Sequence, residues 1–509
     1  MTSGFMKCNV CGLCKFVEVR YAWTILIRYA TNFSPRGLIL FSMPMPSSEK
    51  RTIVIIGAGY SGSLTAVNLL RSDPPDNLRV VLIEQDSVHG RGLAYRFGDD
   101  NHLLNVPAGN MSALADEPHH FVSYCQDIDP AFNAKSFVSR RLYGDYLQYT
   151  LAQAETNHPG ILDKINGEAV AVVPDAGSKT FRIDLAGGAS LEATQVVLAL
   201  GHFPSRPPQF VPENLGQRIV SPWDFNTLDG LDKNSPVAIL GTGHTAIDTL
   251  FKLTSCNSKR KIFLLSRRGL LPHGHRITAP LPAAPDYPAY LLGLPATIRA
   301  YMRALREEAA QRETAGGNWR DVVNELRPHT PRLWQSLPET EQRRALKKVV
   351  PYWDIHRHRL APSAARRLEN LLDSGQVQRM TGHIVGFEVK GTDLRIKLKG
   401  RENAGPDDLD VSMAINCTGP NYDLSSLSIP LIIQLRNAGL IQQDPLKLGL
   451  LVDDDYRVVD IHHRPNPGLF YIGPMLKAKY WEAIAVPELR SHTLQLARNL
   501  LTHKKQSAA

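Results

Sequence analysis

Apolar and polar positions along this chain switch between two periods, and each switch marks an element. Ile53-Val54-Ile55-Ile56 is an unbroken β-branched run of the kind that forms a strand buried on both faces of a parallel sheet. It breaks into Gly57-Ala58-Gly59-Tyr60-Ser61-Gly62, after which Leu64, Val67 and Leu70 fall at helical spacing. The next strand, Arg79 to Ile83, ends in Glu84. The same order returns later: a strand over Val237 to Leu240, the turn Gly241-Thr242-Gly243-His244-Thr245-Ala246, a helix, and a strand over Lys261 to Leu265 that ends in Ser266-Arg267-Arg268. Two more buried strands, Val196 to Leu200 and Met413 to Asn416, each run on into a glycine, Gly201 and Gly419, and a last short strand from Pro467 ends at Gly473-Pro474.

The intervals carry weaker patterns. A helix is predicted from Arg140 through about Ala154, a strand pair over Glu168 to Val173 and Phe181 to Leu185, and a second pair over Ile384 to Val389 and Leu394 to Leu398. Residues 295–350 read as helical, with Leu, Ala and Val at i, i+3 and i+4 and Arg, Glu and Gln between them, bounded by Pro328, Pro331 and Pro338. A closing helix is predicted from Trp481. Residues 90–95 and 102–112 fit neither period and read as loops.

Strand, glycine turn, helix, strand and terminal acid in that order make a dinucleotide fingerprint far more specific than glycines alone. Gly57 takes the tight turn, Gly59 lets backbone approach a pyrophosphate, Gly62 lets helix and strand pack closely, and Glu84 stands where a ribose hydroxyl is bound. In the second fold Gly241 and Gly243 recur and Ala246 replaces the third glycine, which the fingerprint permits. An acid at the ribose position would repel a 2′-phosphate, whereas Arg267 and Arg268 can grip one, so this fold is expected to prefer NADPH. The expected architecture is α/β, with two Rossmann-like folds, the second inserted into the first. Its boundaries are an extension over 1–50 expected to be disordered, the first fold over 51–225, the second over 226–405 with a helical insertion at 295–360, the return of the first fold over 406–502, and a tail at 503–509.

Length and charge refine this picture. A chain of 509 residues suits two or three domains. The net charge of +9 could suggest a nucleic-acid or membrane partner, but residues 1–50 hold Lys7, Lys15, Arg20, Arg28, Arg36 and Lys50 against Glu18 and Glu49, and so supply 6 − 2 = 4 of it. Neither partner is expected. Six cysteines give no paired framework, which points to a reducing cytoplasm. Cys8, Cys11 and Cys14 have cluster-like spacing but lack a nearby fourth thiolate, so no metal is expected. Met43 and Met45 stand just ahead of the first strand and make residues 1–42 look like an upstream extension. The apolar stretch Trp23 to Ile27, flanked by Arg20 and Arg28, is too short to span a bilayer.

Two fingerprints in this order, with Ala199-Leu200-Gly201 and Cys417-Thr418-Gly419 as the crossing strands, resemble the two-dinucleotide-binding flavoproteins. Gly90-Arg91-Gly92-Leu93-Ala94-Tyr95, His102-Leu103-Leu104-Asn105-Val106-Pro107-Ala108, Trp353-Asp354 with Arg357-His358-Arg359, and Trp481-Glu482 resemble a narrower bacterial family. That family of NAD(P)/FAD-binding proteins includes a flavin-dependent urate hydroxylase and aspartate N-hydroxylases. The likeness covers roughly residues 51–500. It implies FAD at Gly57, Gly59, Ser61, Gly62 and Glu84, with Leu104, Asn105, Gly201 and the Gly473-Pro474 turn also on the flavin side. It implies NADPH at Gly241, Gly243, Thr245, Ala246, Ser266, Arg267 and Arg268. Many such flavoproteins carry Gly-Asp where this chain has Gly473-Pro474, so an acceptor for the ribityl chain is missing there. The first fold is followed by no Cys-x-x-x-x-Cys pair, which argues against a disulfide reductase, and Cys417 reads as a packed core thiol.

The implied activity is an NADPH-dependent flavin monooxygenase that uses O₂ to hydroxylate a small nitrogen-containing or polar substrate through a flavin C4a-hydroperoxide. The alternatives are an NADPH-dependent reductase without oxygen insertion and, more distantly, a nucleotide-binding redox sensor. His273, His275, Arg276, Arg357 and Arg359 are candidates to hold an anionic substrate or the NADPH phosphates. No catalytic acid or base is assigned from sequence.

Overall fold

The computed structural model describes residues 50–96, 100–175, 177–255, 258–276, 286–399 and 408–502, with the side chains of 213 and 214 left aside. Cys8, Cys11 and Cys14, the extension and the tail lie outside these residues.

The β-branched runs form two parallel sheets. In the first, Arg51–Ile56 is flanked by Leu78–Glu84 and Gln195–Leu198, and Leu162–Asn166 and Pro465–Tyr471 lie outside them, all parallel; Arg457–Val459 adds an antiparallel edge. In the second, Val237–Leu240 is flanked by Ile262–Ser266 and Met413–Asn416, with Val377–Thr381 and Ile219–Val220 outside. The parallel strands of the two orders correspond in position, five in each sheet among the described residues, and the first sheet adds its antiparallel edge. The likeness extends beyond the glycine turns: each fold carries a three-stranded antiparallel meander between its outer parallel strand, Leu162–Asn166 or Val377–Thr381, and its crossing strand. These are Ala169–Asp175, Thr180–Leu185 and Ser190–Ala193 in the first, and His383–Lys390, Asp393–Lys399 and Leu409–Val411 in the second. The predicted strand pairs are the first two strands of each meander.

Both ends of the second fold lie further out than the boundaries 226 and 405. Ile219–Val220 pairs with Met413–Asn416, which in turn pairs with Val237–Leu240, so 219–220 and 409–416 belong to the second fold and the chain returns to the first only after Cys417. Sequence placed the edge wrongly because a two-residue strand has no readable period. The two linkers run side by side: the Asn421 N–H donates to the Pro204 carbonyl at 3.3 Å, and Asn416 Nδ2 donates to that of Arg206 at 3.0 Å.

Prolines divide the helical insertion into several short helices rather than bounding one. Pro331 lies in the first turn of Thr330–Ser336 and Pro338 caps Glu339–Lys348, positions where the missing N–H costs nothing. Thr297 caps Ile298–Thr314 and Asn318 caps Trp319–Leu326 with side-chain oxygens. The insertion buries Leu291, Tyr301, Leu326, Leu333 and Trp334 against Trp481, which lies in the return segment of the first fold. The closing helix is Val486–Thr502 and starts five residues later than expected, because 474–478 forms a separate short 3₁₀ turn and residues 481–484 are a further turn.

Candidate active site

The two glycine turns have the same geometry. Gly57 has φ +103° and donates its N–H to the Ile83 carbonyl at 2.8 Å; Gly241 has φ +110° and donates to that of Leu265 at 2.8 Å. A Cβ on Gly57 would stand 2.6 Å from the Ala199 carbonyl oxygen, and one on Gly241 would collide with that of Cys417, so each turn is pressed against its crossing strand. A Cβ on Gly62 would collide with the Gly57 oxygen, which explains this glycine through helix–strand packing. Ala246, its counterpart, is fully buried without such a collision.

Above the helix N-termini there is room. A Cβ on Gly243 would meet nothing within 4 Å, and one on Gly59 would meet only the Cα of Gly92 at 3.4 Å. The loop through Gly90, whose N–H donates to the Ala58 carbonyl at 2.8 Å, covers the first turn. Glu84 Oε2 accepts from the Ala58 N–H at 2.8 Å, which fixes the carboxylate beside the glycines. Ser61 is buried in the first turn of the helix Tyr60–Arg71, and Thr245 is half-buried in that of His244–Leu253. Arg267 is exposed, Arg268 Nη2 donates to the Lys347 carbonyl at 3.0 Å, and Ser266 Oγ accepts from the Gly269 N–H at 3.0 Å. The donor sets at both turns fit dinucleotides.

A cavity of about 1370 Å³ lies between the folds. It brings together Leu104 and Asn105 from the first fold, Gly243, Ser266, Arg267 and Arg268 from the second, and His275, Arg276, Arg357 and Arg359. It does not reach Gly57, Gly59, Ser61, Gly62, Glu84, Gly201, Gly241, Thr245, Ala246, Gly473 or Pro474, which lie away from its wall. Gly201 is exposed, and Gly473, at φ +140°, packs against the Tyr471 hydroxyl and the Leu200 carbonyl. Pro474 is buried and offers no acceptor beyond its own carbonyl. His273 stands behind the wall, its ring 4.6 Å from that of His356 and 5.4 Å from that of Trp319.

Several bonds tie the folds across this cavity. His275 Nε2 donates to the Asn105 carbonyl at 2.9 Å and Arg140 pairs with Asp248 at 3.2 Å, while within the second fold His244 Nε2 donates to the His358 carbonyl at 2.9 Å. Burial, aided by Arg359, holds His275 down to about 4, so at neutral pH its ring is uncharged with the proton on Nε2.

The segment Tyr352 to Arg359 turns its cations inward. Arg357 and Arg359 are 8 % and 4 % exposed. Arg357 Nη2 lies 2.9 Å from Glu482 Oε2, although the N–H groups are poorly aligned and both Glu482 oxygens lack a hydrogen-bond donor. Burial raises the Asp354 carboxyl, and it lowers the Lys477 ammonium and the Arg357 guanidinium. Lys477 and Asp354 both line the cavity, and Asp354 is the one acidic residue among the described lining residues, against many arginines. Sequence reading assigned no role to Arg320, Lys477, Asp354 or Glu482. Two of them stand in the Trp353-Asp354 and Trp481-Glu482 dipeptides, a signal that burial alone turns into chemistry.

A family profile described as FAD-NAD(P)-binding matches residues 54–203. A protein of Mycobacterium bovis without an assigned function is 21% identical, the match covering 91% of this chain and 97% of that protein. The fold is similar to that of an ornithine hydroxylase from Pseudomonas aeruginosa, with a TM-score of 0.62, 14% identity, and coverage of 89% of this chain and 99% of that one. It is also similar to an L-lysine 6-monooxygenase from Pseudomonas syringae, with a TM-score of 0.60, 16% identity, and coverage of 88% and 99%. Among the described residues no helix is long and apolar enough to cross a membrane. With an FAD-NAD(P)-binding match on its first fold and a second nucleotide fold built to the same plan, the chain has the fold of the two-dinucleotide-binding flavoproteins.

Proposed function

We propose that the protein is an FAD- and NADPH-dependent monooxygenase that hydroxylates a nitrogen of a small substrate, using O₂, in the cytoplasm. The observation that carries this reading is the pairing of two glycine turns of opposite ribose chemistry, Glu84 on one and Arg267 with Arg268 on the other, with a cationic cavity opening at the second. The solved structures of similar fold include ornithine and lysine hydroxylases. The chemistry supplied by bound FAD is hydride acceptance from NADPH and activation of O₂ for transfer to the substrate.

The chain's own residues do the rest. Gly57, Gly59, Ser61, Gly62 and Glu84 would hold FAD, and Gly241, Gly243, Thr245, Ala246, Ser266, Arg267 and Arg268 would hold NADPH. Leu104 and Asn105 would face the flavin from the cavity, with Asn105 fixed by the neutral His275 ring. Gly201 and the Gly473-Pro474 turn would shape the flavin side from the first fold's strand ends. The wall also favours the nucleophile. An amine must lose its proton before it can take an oxygen atom, and a surplus of guanidiniums disfavours the ammonium form of any amine beside them.

The deciding measurement is hydroxylated product formed per NADPH consumed, with a panel of amino acids, purines and aromatic acids. Stoichiometric product from one member is expected; NADPH oxidation without any hydroxylated product would leave a reductase instead.

A further inference from the structure

The cations on the wall built by the insertion divide into two sets. Arg276 donates to Asp321 through both terminal nitrogens, with Nη1 to Oδ2 at 2.9 Å, and Arg327 donates to Glu488 at 2.5 and 2.7 Å. Arg357 has Glu482, and Lys477 feels both Asp354 and Glu482. Each of these charges has its counter-charge within the protein. Arg320 and Arg359 are less well matched: among the described residues no ion pair joins either to a carboxylate, and Asp321, already bonded to Arg276, acts on Arg359 only from further off. Arg320 donates from Nε and Nη2 to the Gly274 carbonyl at 3.1 and 2.9 Å, and Arg359 donates from Nη2 to Asn324 Oδ1 at 2.6 Å. Both acceptors are neutral. The remaining Arg359 nitrogens, Nε and Nη1, are buried without a partner although the side chain lines the cavity.

The two guanidiniums also share one support, with their carbon atoms 4.4 and 6.0 Å from the Trp319 ring centre. The indole face eases the approach of two like charges but cannot neutralise them. Burial, then the charges of Arg357, Arg320 and Arg276, bring Arg359 down to about 10 against the opposing pull of Asp321, so it keeps its charge at neutral pH. A buried, charged guanidinium with free N–H groups is costly until an anion completes it.

We propose that Arg320 and Arg359 form an oxyanion site in the cavity wall whose occupant is the carboxylate of the small substrate. A guanidinium fork matches the planar, bidentate geometry of a carboxylate. The phosphates of NADPH are the other oxyanions at hand, but the position for the ribose phosphate is at Arg267 and Arg268, beyond the end of strand Ile262–Ser266. Arg359 instead interacts electrostatically with His275, the ring that touches Asn105 of the first fold. The inference deepens the proposed function by giving its substrate a carboxylate.

The test is calorimetric titration of flavin-loaded protein with succinate, and in parallel with NADP⁺, for the wild type, Arg320→Gln, Arg359→Gln and Arg359→Lys. Succinate should bind the wild type and lose about ten- to a hundredfold in affinity in either Gln variant, since each lost bond is to a charged group. Arg359→Lys should recover part of the loss, which separates charge from folding, and NADP⁺ affinity should stay as in the wild type. Absent succinate binding to the wild type, or equal binding in all four proteins, overturns the proposal. NADP⁺ binding that collapses while succinate binding holds would assign the arginines to the dinucleotide. No turnover enters this assay, so its outcome is independent of whether hydroxylated product forms.

Discussion

Gly59 and Gly62 lie three residues apart in one turn and are glycines for different reasons. At Gly62 the obstacle is the chain itself, so Gly62→Ala forces the helix Tyr60–Arg71 off its strand, at a cost of at least the ~1–3 kcal/mol typical of overpacking. At Gly59 the space is free of all protein but Gly92, and φ is −72°, open to any residue. Gly59→Val should therefore fold, melt close to the wild type and be purified colourless, whereas Gly62→Ala should melt well below it. Flavin absorbance per protein and a thermal melt read both, and a yellow Gly59→Val protein would contradict the assignment. Arg267 offers a second test. It is exposed and bonded to nothing among the described residues, whereas Arg268 already gives one donor to Lys347. Arg267→Ala should raise the KM for NADPH roughly ten- to a hundredfold and leave NADH nearly untouched, with little change in hydride-transfer rate at saturation. Equal weakening of both nucleotides would show that Arg267 does not meet the 2′-phosphate.

Among the elements, the helical insertion differs most from its appearance in sequence. It lies within the second fold in chain order, yet its core closes on the first. Trp334 is 6 % exposed, its ring centre is 4.5 Å from that of Trp481, and its Nε1 donates to the Ala478 carbonyl at 3.1 Å. Trp334→Ala removes the stack and the bond together and should cost about 3–5 kcal/mol. A urea titration should show the lowered midpoint, and limited proteolysis should cut within 298–357 sooner than in the wild type. An unchanged midpoint would mean that the insertion is held by its other contacts. The periodicity of 295–350 was legible because its helices are amphipathic. Where they dock was not, because Trp481 is more than a hundred residues downstream and no local pattern links it to Trp334.

Across the two folds together, acid should be the sensitive direction. His275 at the junction and His492 beside Tyr456 are both held down to about 4 by burial. The unfolded chain binds their protons near pH 6.5, above the folded values, so protons favour unfolding as pH falls through this window. Stability should be flat above about pH 7 and decline from about pH 6.5 toward 4, by up to about 2–3 kcal/mol for each ring before solvent screening. Asp354, raised by burial, acts oppositely: its stabilisation is present below the unfolded carboxylate pKa and is lost as pH rises. Melting temperatures across pH 4–8 test this, and His275→Gln, which keeps a donor for the Asn105 carbonyl, should flatten the slope. A melting temperature constant from pH 7 to 4.5 would show that these rings do not titrate as described.

The nucleotide turns could be read from residues alone because their causes are local. Strand, glycines, helix and terminal residue are neighbours in the chain, and the steric reasons for Gly57, Gly62 and Gly241 operate within two adjacent strands and a helix. The contrast between Glu84 and Arg267 with Arg268 is equally local, since charge at a strand end faces whatever lies beyond it. The fold boundaries and the sorting of the arginines depended on contacts between distant segments. Ile219–Val220 becomes part of the second fold only by pairing with Met413–Asn416. Arg357, Arg359 and Arg320 look alike in sequence, and what separates them is which carboxylate packing brings into an ion pair: Glu482 for Arg357, and none for the other two among the described residues. Periodicity records which face of an element is buried, but not what that face is buried against, and the chemistry of a charged side chain is set by the latter.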